Sequence, residues 1–121
     1  HLGKVEHDRV IQEMQACSCF ILTSWDEPFA TVFLEAMACG SPIRCCSDGG
    51  ITDVVQDGVH GLVVPPKSQQ HIVQAIEYLA TNFSERERMA KNASIHAREN
   101  LAWDASAKKL IGMFRASVRT A

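Results

Sequence analysis

Hydrophobic residues in the first half of the chain fall into short continuous runs separated by stretches with helical spacing. Continuous apolar runs bounded by turn residues are typical of strands that are buried on both faces of a parallel sheet. A run of this kind predicts a strand over residues 19–23, and strands are also predicted over residues 2–5, 43–46 and 61–64. Between the strands, the apolar spacing predicts helices over residues 8–17 and 31–39 and one helical turn over residues 51–55. Strands that alternate with helices predict parallel pairing through crossover helices.

The second half of the chain carries only helical patterns. After Pro65 and Pro66, helices are predicted from a cap at Ser68 to residue 80, from a cap at Ser84 to residue 100, and over residues 104–118. The predicted fold is a single α/β unit, with a Rossmann-like parallel sheet and flanking helices. Residues 1–66 form the strand–helix alternation, and residues 67–121 form a helical tail.

Composition narrows the class of protein. Apolar residues make up 46% of the chain and charged residues 21%, with a net charge of −2. This balance argues against nucleic-acid binding, which needs a concentrated excess of Lys and Arg, and against disorder. No apolar run reaches the roughly 18–20 residues of a membrane helix. These features predict a soluble globular domain.

The cysteines and histidines show no pattern typical of a metal site. The five cysteines are odd in number and mostly lie inside apolar runs, so they are predicted to be buried free thiols. No metal ligands are expected, because zinc-type spacing is absent. This cysteine usage indicates a reducing compartment, and a cytoplasmic location is predicted. Four histidines are interpreted as isolated surface or helix residues: His7, His60, His71 and His96.

The segment from Ser24 to Gly40 contains the candidate chemistry. Every residue from Val32 to Cys39 is apolar except Glu35, so the predicted helix is buried on nearly all sides. A carboxylate in that setting needs hydrogen-bond donors. A protein cation, a neighbouring helix end or a ligand with hydroxyl groups would supply them.

The start of this helix follows a buried strand, at the sheet edge where ligands usually bind in α/β proteins. Free backbone N–H groups near Ala30, Thr31 and Val32 suit a phosphate or a sugar oxygen. Glu27 lies in the approach loop, where Pro28 restricts its backbone. A solvated loop acid is the alternative interpretation of Glu27. The arrangement suits a ligand with both phosphate and hydroxyl groups.

Seven residues separate Glu27 from Glu35, and this run resembles the E-x7-E segment of retaining GT-B glycosyltransferases of family four, the group 1 enzymes. The stretch LEAMACGSP at residues 34–42 is similar to the LEAMACGTP sequence of that family. Similar residues also occur in the right order at positions 2–5, 48–51, 57–66 and 103. The resemblance covers almost the whole chain.

The resemblance implies a role for each matching residue. Glu27 would be the catalytic residue, because it would hold hydroxyl groups of the transferred sugar. Glu35 would accept hydrogen bonds from the ribose of a nucleotide-diphosphate sugar. The other donor-binding contacts would come from backbone at four positions: Phe29, Ala30 and Thr31 for the sugar and phosphate, and Val5 for the base. The family transfers sugar with retention at the anomeric carbon, without a metal or another cofactor.

The resemblance also implies that the chain matches only the latter part of the second of two GT-B domains. Transfer by this chain alone is then expected to be weak, because one wall of the active site is missing. The acceptor is not indicated, and the resemblance is compatible with association with a membrane surface through the other domain. In the family, the strands matched by residues 2–5 and 19–23 are not neighbours. A bare strand edge is therefore expected to rearrange or to pair with another copy in a homo-oligomer.

Two departures from the family pattern favour a different function. Ala30 stands where the family usually has Gly, and Arg44 lies in a strand that is normally apolar, whereas Thr52 in place of a frequent Pro is a milder change. An arginine in a buried parallel strand is unfavourable unless it is paired. These residues keep open the alternative of a non-catalytic α/β interaction module with the shape of a glycosyltransferase domain.

Overall fold

The computed structural model describes the backbone of residues 1–119 and the side chains of residues 1–115. Its sheet contains three parallel strands, β1 (Phe20–Ile21), β2 (Ile43–Cys46) and β3 (Gly61–Val64), in the order β1-β2-β3. Phe20 and Gly61 are the register partners of Ile43 on its two sides. The predicted parallel α/β arrangement is confirmed.

The helices lie close to their predicted positions. They are α1 (His7–Ala16), α2 (Val32–Ala38), α3 (Gln69–Thr81), α4 (Phe83–His96) and α5 (Trp103–Arg119). A 3₁₀ turn, Gly50–Asp53, follows β2, and a π-helical turn, Ala97–Leu101, joins α4 to α5. The helix predicted to end at residue 100 is thus divided into α4 and the π turn. Within residues 1–119, no helix has both the length and the apolar character needed to cross a bilayer.

The strand predicted over residues 2–5 is wrong. These residues precede α1, Leu2 is 60% exposed, and no strand in the described part of the chain pairs with them. A segment becomes a strand only when a neighbouring strand takes up its backbone hydrogen bonds. The strand β1 is shorter than predicted, and it lies at the edge of the sheet with β2 as its neighbour.

The cap predicted at Ser84 is also wrong. The helix α4 begins at Phe83, after Asn82, whose side-chain N–H donates to a carbonyl at the end of α3 at 2.9 Å. The helix α3 does begin after Ser68, as predicted. The Ser68 hydroxyl, however, forms a hydrogen bond with His71 Nδ1 at 2.6 Å and does not cap the helix. The side chain of Asn82 therefore marks the boundary between α3 and α4.

The core lies between one face of the sheet and the helix α2. Its buried cluster combines residues of α1, α2, β2 and α4, including Met14, Phe33, Ala36, Met37, Ile43, Cys45 and Ala93. The rings of Phe20 and Phe33 meet edge to face, with 5.7 Å between their centroids. Because α2 packs against β2, α1 and α4, its sequence is apolar on most sides.

Arg44 lies on the opposite face of β2, because successive side chains of a strand point to opposite faces. Its register partners are Ile21 and Leu62, and its side chain is completely buried. Its guanidinium nitrogens have no hydrogen-bond partner among the described residues. The sequence departure at Arg44 is thus an unpaired buried cation.

The prediction of buried thiols is correct for Cys45 and Cys46 and wrong for Cys17, which follows the last residue of α1 and is exposed. All five cysteines are free, and Cys19 and Cys39 are half-buried. Burial is the largest effect that raises the pKa of Cys45, to about 11. Cys45 therefore behaves as a small core side chain.

Candidate functional site

The N-terminal end of α2 presents unpaired backbone amides. The first helical hydrogen bonds run from Phe33 N–H to the Ala30 carbonyl at 3.1 Å and from Leu34 N–H to the Thr31 carbonyl at 2.9 Å. The N–H groups of Ala30, Thr31 and Val32 have no acceptor in the part of the chain that the structure describes. Such amides are suitable donors for a phosphate or hydroxyl oxygen.

The loop that carries Glu27 is held by the turn that follows β2. Asp26 N–H donates to Asp48 Oδ2 at 3.2 Å, and Gly50 N–H donates to the Glu27 carbonyl at 3.0 Å. The Glu27 side chain is half-buried, and its carboxylate makes no hydrogen bond or ion pair within residues 1–115. The backbone of Glu27 is therefore fixed, whereas its carboxylate is available to a ligand.

Glu35 lies in the first turn of α2, on the wall of a cavity of about 770 Å³. The loop and α2 form one wall of this cavity, and the π turn and the start of α5 form the other. Its lining includes Phe29, Thr31, Glu35, Arg98, Leu101 and Trp103. A volume of this size is ordinary for a small-molecule site, whose usual range is about 300–1,000 Å³.

No described cation forms an ion pair with Glu35. Arg98, on the cavity wall, donates to the Ala38 carbonyl at 3.3 Å instead. The Glu35 carboxylate still affects a neighbouring thiol. The pKa of Cys39 is raised, mainly by burial and then by the negative charge of Glu35. The alternative in which Glu35 pairs with an arginine is therefore wrong, and its carboxylate can accept hydrogen bonds from a ligand.

Three of the six candidate site residues line this cavity: Phe29, Thr31 and Glu35. Glu27 and Ala30 lie on the adjoining loop and are not part of the lining. Val5 is half-buried just before α1 and is also outside the lining. That Glu27 and Glu35 contact one ligand stays a prediction.

Sequence reasoning did not identify the far wall of the cavity. Arg98 and Leu101 belong to the π turn. The sequence does not indicate this turn, because its apolar spacing is helical without a break up to residue 100. Trp103, which is 91% exposed at the start of α5, stands out only through the family resemblance. No sequence signal relates these residues to Glu35, since more than sixty positions separate them along the chain.

The interpretation of His60 and His96 as isolated residues is wrong. Their rings stack, with 4.4 Å between centroids and 17° between planes. Gln56 N–H donates to His60 Nδ1 at 3.1 Å, and burial, followed by His96, lowers the pKa of His60. The pair joins the turn before β3 to α4 and lies outside the lining of the Glu35 cavity. Among the described residues, no group of three or more His, Cys, Asp or Glu side chains is arranged to hold a metal ion.

Known proteins are similar to this chain in sequence and in fold. The sequence profile of the family described as "Glycosyl transferases group 1" matches residues 1–96. D-inositol 3-phosphate glycosyltransferase from Kribbella flavida is 36% identical over 106 residues, which are 88% of this chain and 25% of that protein. The chain spans about a quarter of the length of the curated relatives that it matches.

Two solved structures superpose closely on the chain. Sucrose-phosphate synthase from Thermosynechococcus elongatus gives a TM-score of 0.84 at 26% identity, over 99% of this chain and 30% of that chain. Alr3699/HepE from Anabaena, in complex with UDP-glucose, gives a TM-score of 0.73 at 29% identity, over 88% of this chain and 29% of that chain. The fold is thus the expected Rossmann-like part of the C-terminal domain of a GT-B glycosyltransferase. Because the family profile also covers most of its length, the chain belongs to the group 1 glycosyl transferases.

Proposed function

We propose that this chain is the nucleotide-sugar-binding portion of a retaining glycosyltransferase, which transfers a sugar from a nucleotide-diphosphate donor to an acceptor. The observation that carries the proposal is the likeness to HepE in complex with UDP-glucose, at 29% identity over 88% of this chain. It is supported by the unpaired carboxylate of Glu35 in a cavity of suitable size.

In this proposal, Glu35 accepts hydrogen bonds from the ribose hydroxyls of the donor, and Glu27 accepts hydrogen bonds from hydroxyls of the transferred sugar. The unpaired amides at the start of α2 are suited to bind the diphosphate of the donor, because backbone N–H groups and the positive end of a helix favour anionic oxygens. The remaining donor contacts come from Phe29, Ala30 and Thr31 at the sugar and phosphate, and from Val5 at the base.

The proposal requires no metal ion and no further cofactor. Backbone donors at α2, together with cationic side chains elsewhere in the enzyme, would take up the charge of the leaving diphosphate. Five free thiols agree with a cytoplasmic location. The acceptor, and any association with a membrane surface, would depend on the other GT-B domain.

Transfer by this chain alone is proposed to be weak. A GT-B site lies between two domains, and the chain covers about a quarter of its relatives. Positioning donor and acceptor together is a large part of the rate acceleration. Binding of the donor, and not turnover, is therefore the property to measure.

Calorimetric titration with UDP and UDP-glucose tests these assignments. Glu35→Gln is expected to weaken the binding of both ligands, by about 10- to 100-fold for a hydrogen bond to a charged group. Glu27→Gln is expected to weaken UDP-glucose and leave UDP unchanged. The matched control is Glu87→Gln on the exposed side of α4. Equal affinities in the parent chain and in both site variants would refute the assignments.

A non-catalytic interaction module is the second candidate function. Two observations favour it: the strand β1 is an edge strand, and the start of α5 exposes 91% of Trp103. An unpaired strand edge and an exposed apolar residue both promote association with another copy. A thermal-shift screen in which no nucleotide diphosphate or nucleotide sugar stabilises the chain would favour this candidate. A single monomeric species in sedimentation at high concentration would contradict self-association.

A further inference from the structure

The backbone next to Glu27 has an unusual conformation. Asp26 has φ of +54°, in the left-handed region that residues with a side chain rarely adopt. This conformation turns the chain immediately before Glu27. A strained residue of this kind keeps its conformation only when its surroundings hold it.

Two hydrogen bonds from the turn at residues 47–50 hold this part of the loop. The Asp48 carboxylate accepts the Asp26 N–H at 3.2 Å, and Gly50 N–H donates to the Glu27 carbonyl at 3.0 Å. The two bonds therefore bracket the dipeptide of Asp26 and Glu27, one at its first amide and one at its last carbonyl.

Close backbone contact adds to these bonds. A Cβ atom on Gly50 would lie 1.8 Å from the Pro28 carbonyl oxygen, and one on Gly49 would lie 3.2 Å from the Glu27 carbonyl oxygen. A side chain at Gly50 is therefore excluded, which lets the turn and the loop touch backbone to backbone. Asp48 supplies the only side-chain hydrogen bond between the loop at residues 24–28 and this turn in the described chain.

We propose that Asp48 is a positioning residue for Glu27. By accepting the Asp26 N–H, its carboxylate keeps the left-handed turn in place and fixes the direction in which the Glu27 side chain leaves the backbone. Asp48 acts through Asp26 and does not touch the donor. The inference rests on the proposed function, in which Glu27 contacts the transferred sugar.

The first experiment measures the loop without any ligand. Amide hydrogen exchange at Asp26 and Gly50, whose N–H groups donate the two bonds that hold the dipeptide, is followed by NMR in the parent chain, in Asp48→Ala and in Asp48→Asn. Asp48→Ala is expected to speed exchange at both amides, whereas Asp48→Asn retains an acceptor oxygen and stays close to the parent. Ser47→Ala, in the same turn, is the matched control and is expected to change neither amide. Unchanged exchange in Asp48→Ala would overturn the proposal.

The second experiment measures the consequence for binding. UDP and UDP-glucose are titrated into the same variants, and the ratio of the two affinities reports the contribution of the sugar. Asp48→Ala is expected to reduce this ratio by about 2- to 10-fold, the worth of one hydrogen bond, with UDP affinity unchanged. Asp48→Asn is expected to keep the ratio, because it keeps the acceptor and loses only the charge.

The outcomes distinguish a failure of the positioning role of Asp48 from a failure of the sugar contact of Glu27. If Glu27→Gln lowers the ratio and Asp48→Ala does not, Asp48 is not a positioning residue and the role of Glu27 stands. If Asp48→Asn is as impaired as Asp48→Ala, the charge matters and the positioning role is refuted. If the parent chain binds UDP-glucose no better than UDP, the role of Glu27 fails and so does the positioning role, even where the exchange data show that Asp48 holds the loop.

Discussion

Replacing Arg44 with methionine is expected to stabilise the fold. The Arg44 side chain is completely buried on the face of β2 that points away from α2, and its guanidinium nitrogens have no hydrogen-bond partner among the described residues. Arginine keeps its charge in proteins, so this position carries an unpaired cation out of water. Methionine retains an unbranched apolar stem of similar length and removes the charge.

The size of the effect follows from this burial. Replacing a buried ion pair by apolar residues of similar volume is neutral or stabilising by about 1–4 kcal/mol, and we expect the same range for this unpaired cation. Ile21 and Leu62, the register partners of Arg44, provide apolar neighbours for the methionine thioether. For a chain of this size, each 1 kcal/mol raises Tm by about 4 °C, so a gain of about 4–15 °C is expected.

Urea unfolding followed by circular dichroism measures the change in the free energy of unfolding. The matched control is Arg9→Met, which removes an exposed arginine paired with Glu13 and is expected to change stability by less than about 0.5 kcal/mol. A loss of stability in Arg44→Met larger than the control's would refute the reasoning. It would mean that the guanidinium has favourable contacts that exceed its desolvation penalty.

Three further predictions concern the core and its titrating groups. Because burial and then His96 lower the pKa of His60 in the folded state, its contribution to stability is present above its unfolded pKa, about 6.5, and is lost as pH falls below it. Urea midpoints at pH 7.5 and 5.5 should therefore differ less in His60→Gln than in the parent chain, and an equal difference would contradict the linkage. Burial raises the pKa of Cys45 to about 11, so a thiol reagent should label the exposed Cys17 first and reach Cys45 only on unfolding; equal labelling rates would contradict this. Phe33→Ala should lower the free energy of unfolding by about 3–5 kcal/mol, because its ring is 2% exposed in the core, and a loss below 1 kcal/mol would show that the site collapses around the change.

The sequence predicts those parts of the fold that depend on local burial. The segments at residues 43–46 and 61–64 match β2 and β3, because strands covered on both faces are mostly apolar, and Arg44 in β2 is the exception. Residues 2–5, which include Gly3 and Lys4, are also predicted to form a strand but have no strand beside them. Pairing depends on distant segments, so no local pattern distinguishes a strand from an unpaired segment. The stack of His60 on His96 was unpredictable for the same reason, since it joins two segments 36 positions apart.

For the candidate site, too, the sequence predicts the local features and misses those that depend on distant residues. The sequence shows that Glu35 is the one acid on an otherwise apolar helix, and from that a need for donors can be inferred. It does not show whether the protein supplies them, because Arg98 joins the lining of the Glu35 cavity only through the π turn. In the structure, Arg98 donates to the Ala38 carbonyl at 3.3 Å, and Glu35 is left without an ion pair in the described chain. A half-buried carboxylate beside an arginine that is already engaged has its hydrogen-bonding capacity open to a ligand or to solvent. Weaker nucleotide binding in Glu35→Gln, with an unchanged free energy of unfolding, would therefore identify this carboxylate as a ligand contact. If the carboxylate were structural, the substitution would lower both the affinity for the nucleotide and the free energy of unfolding.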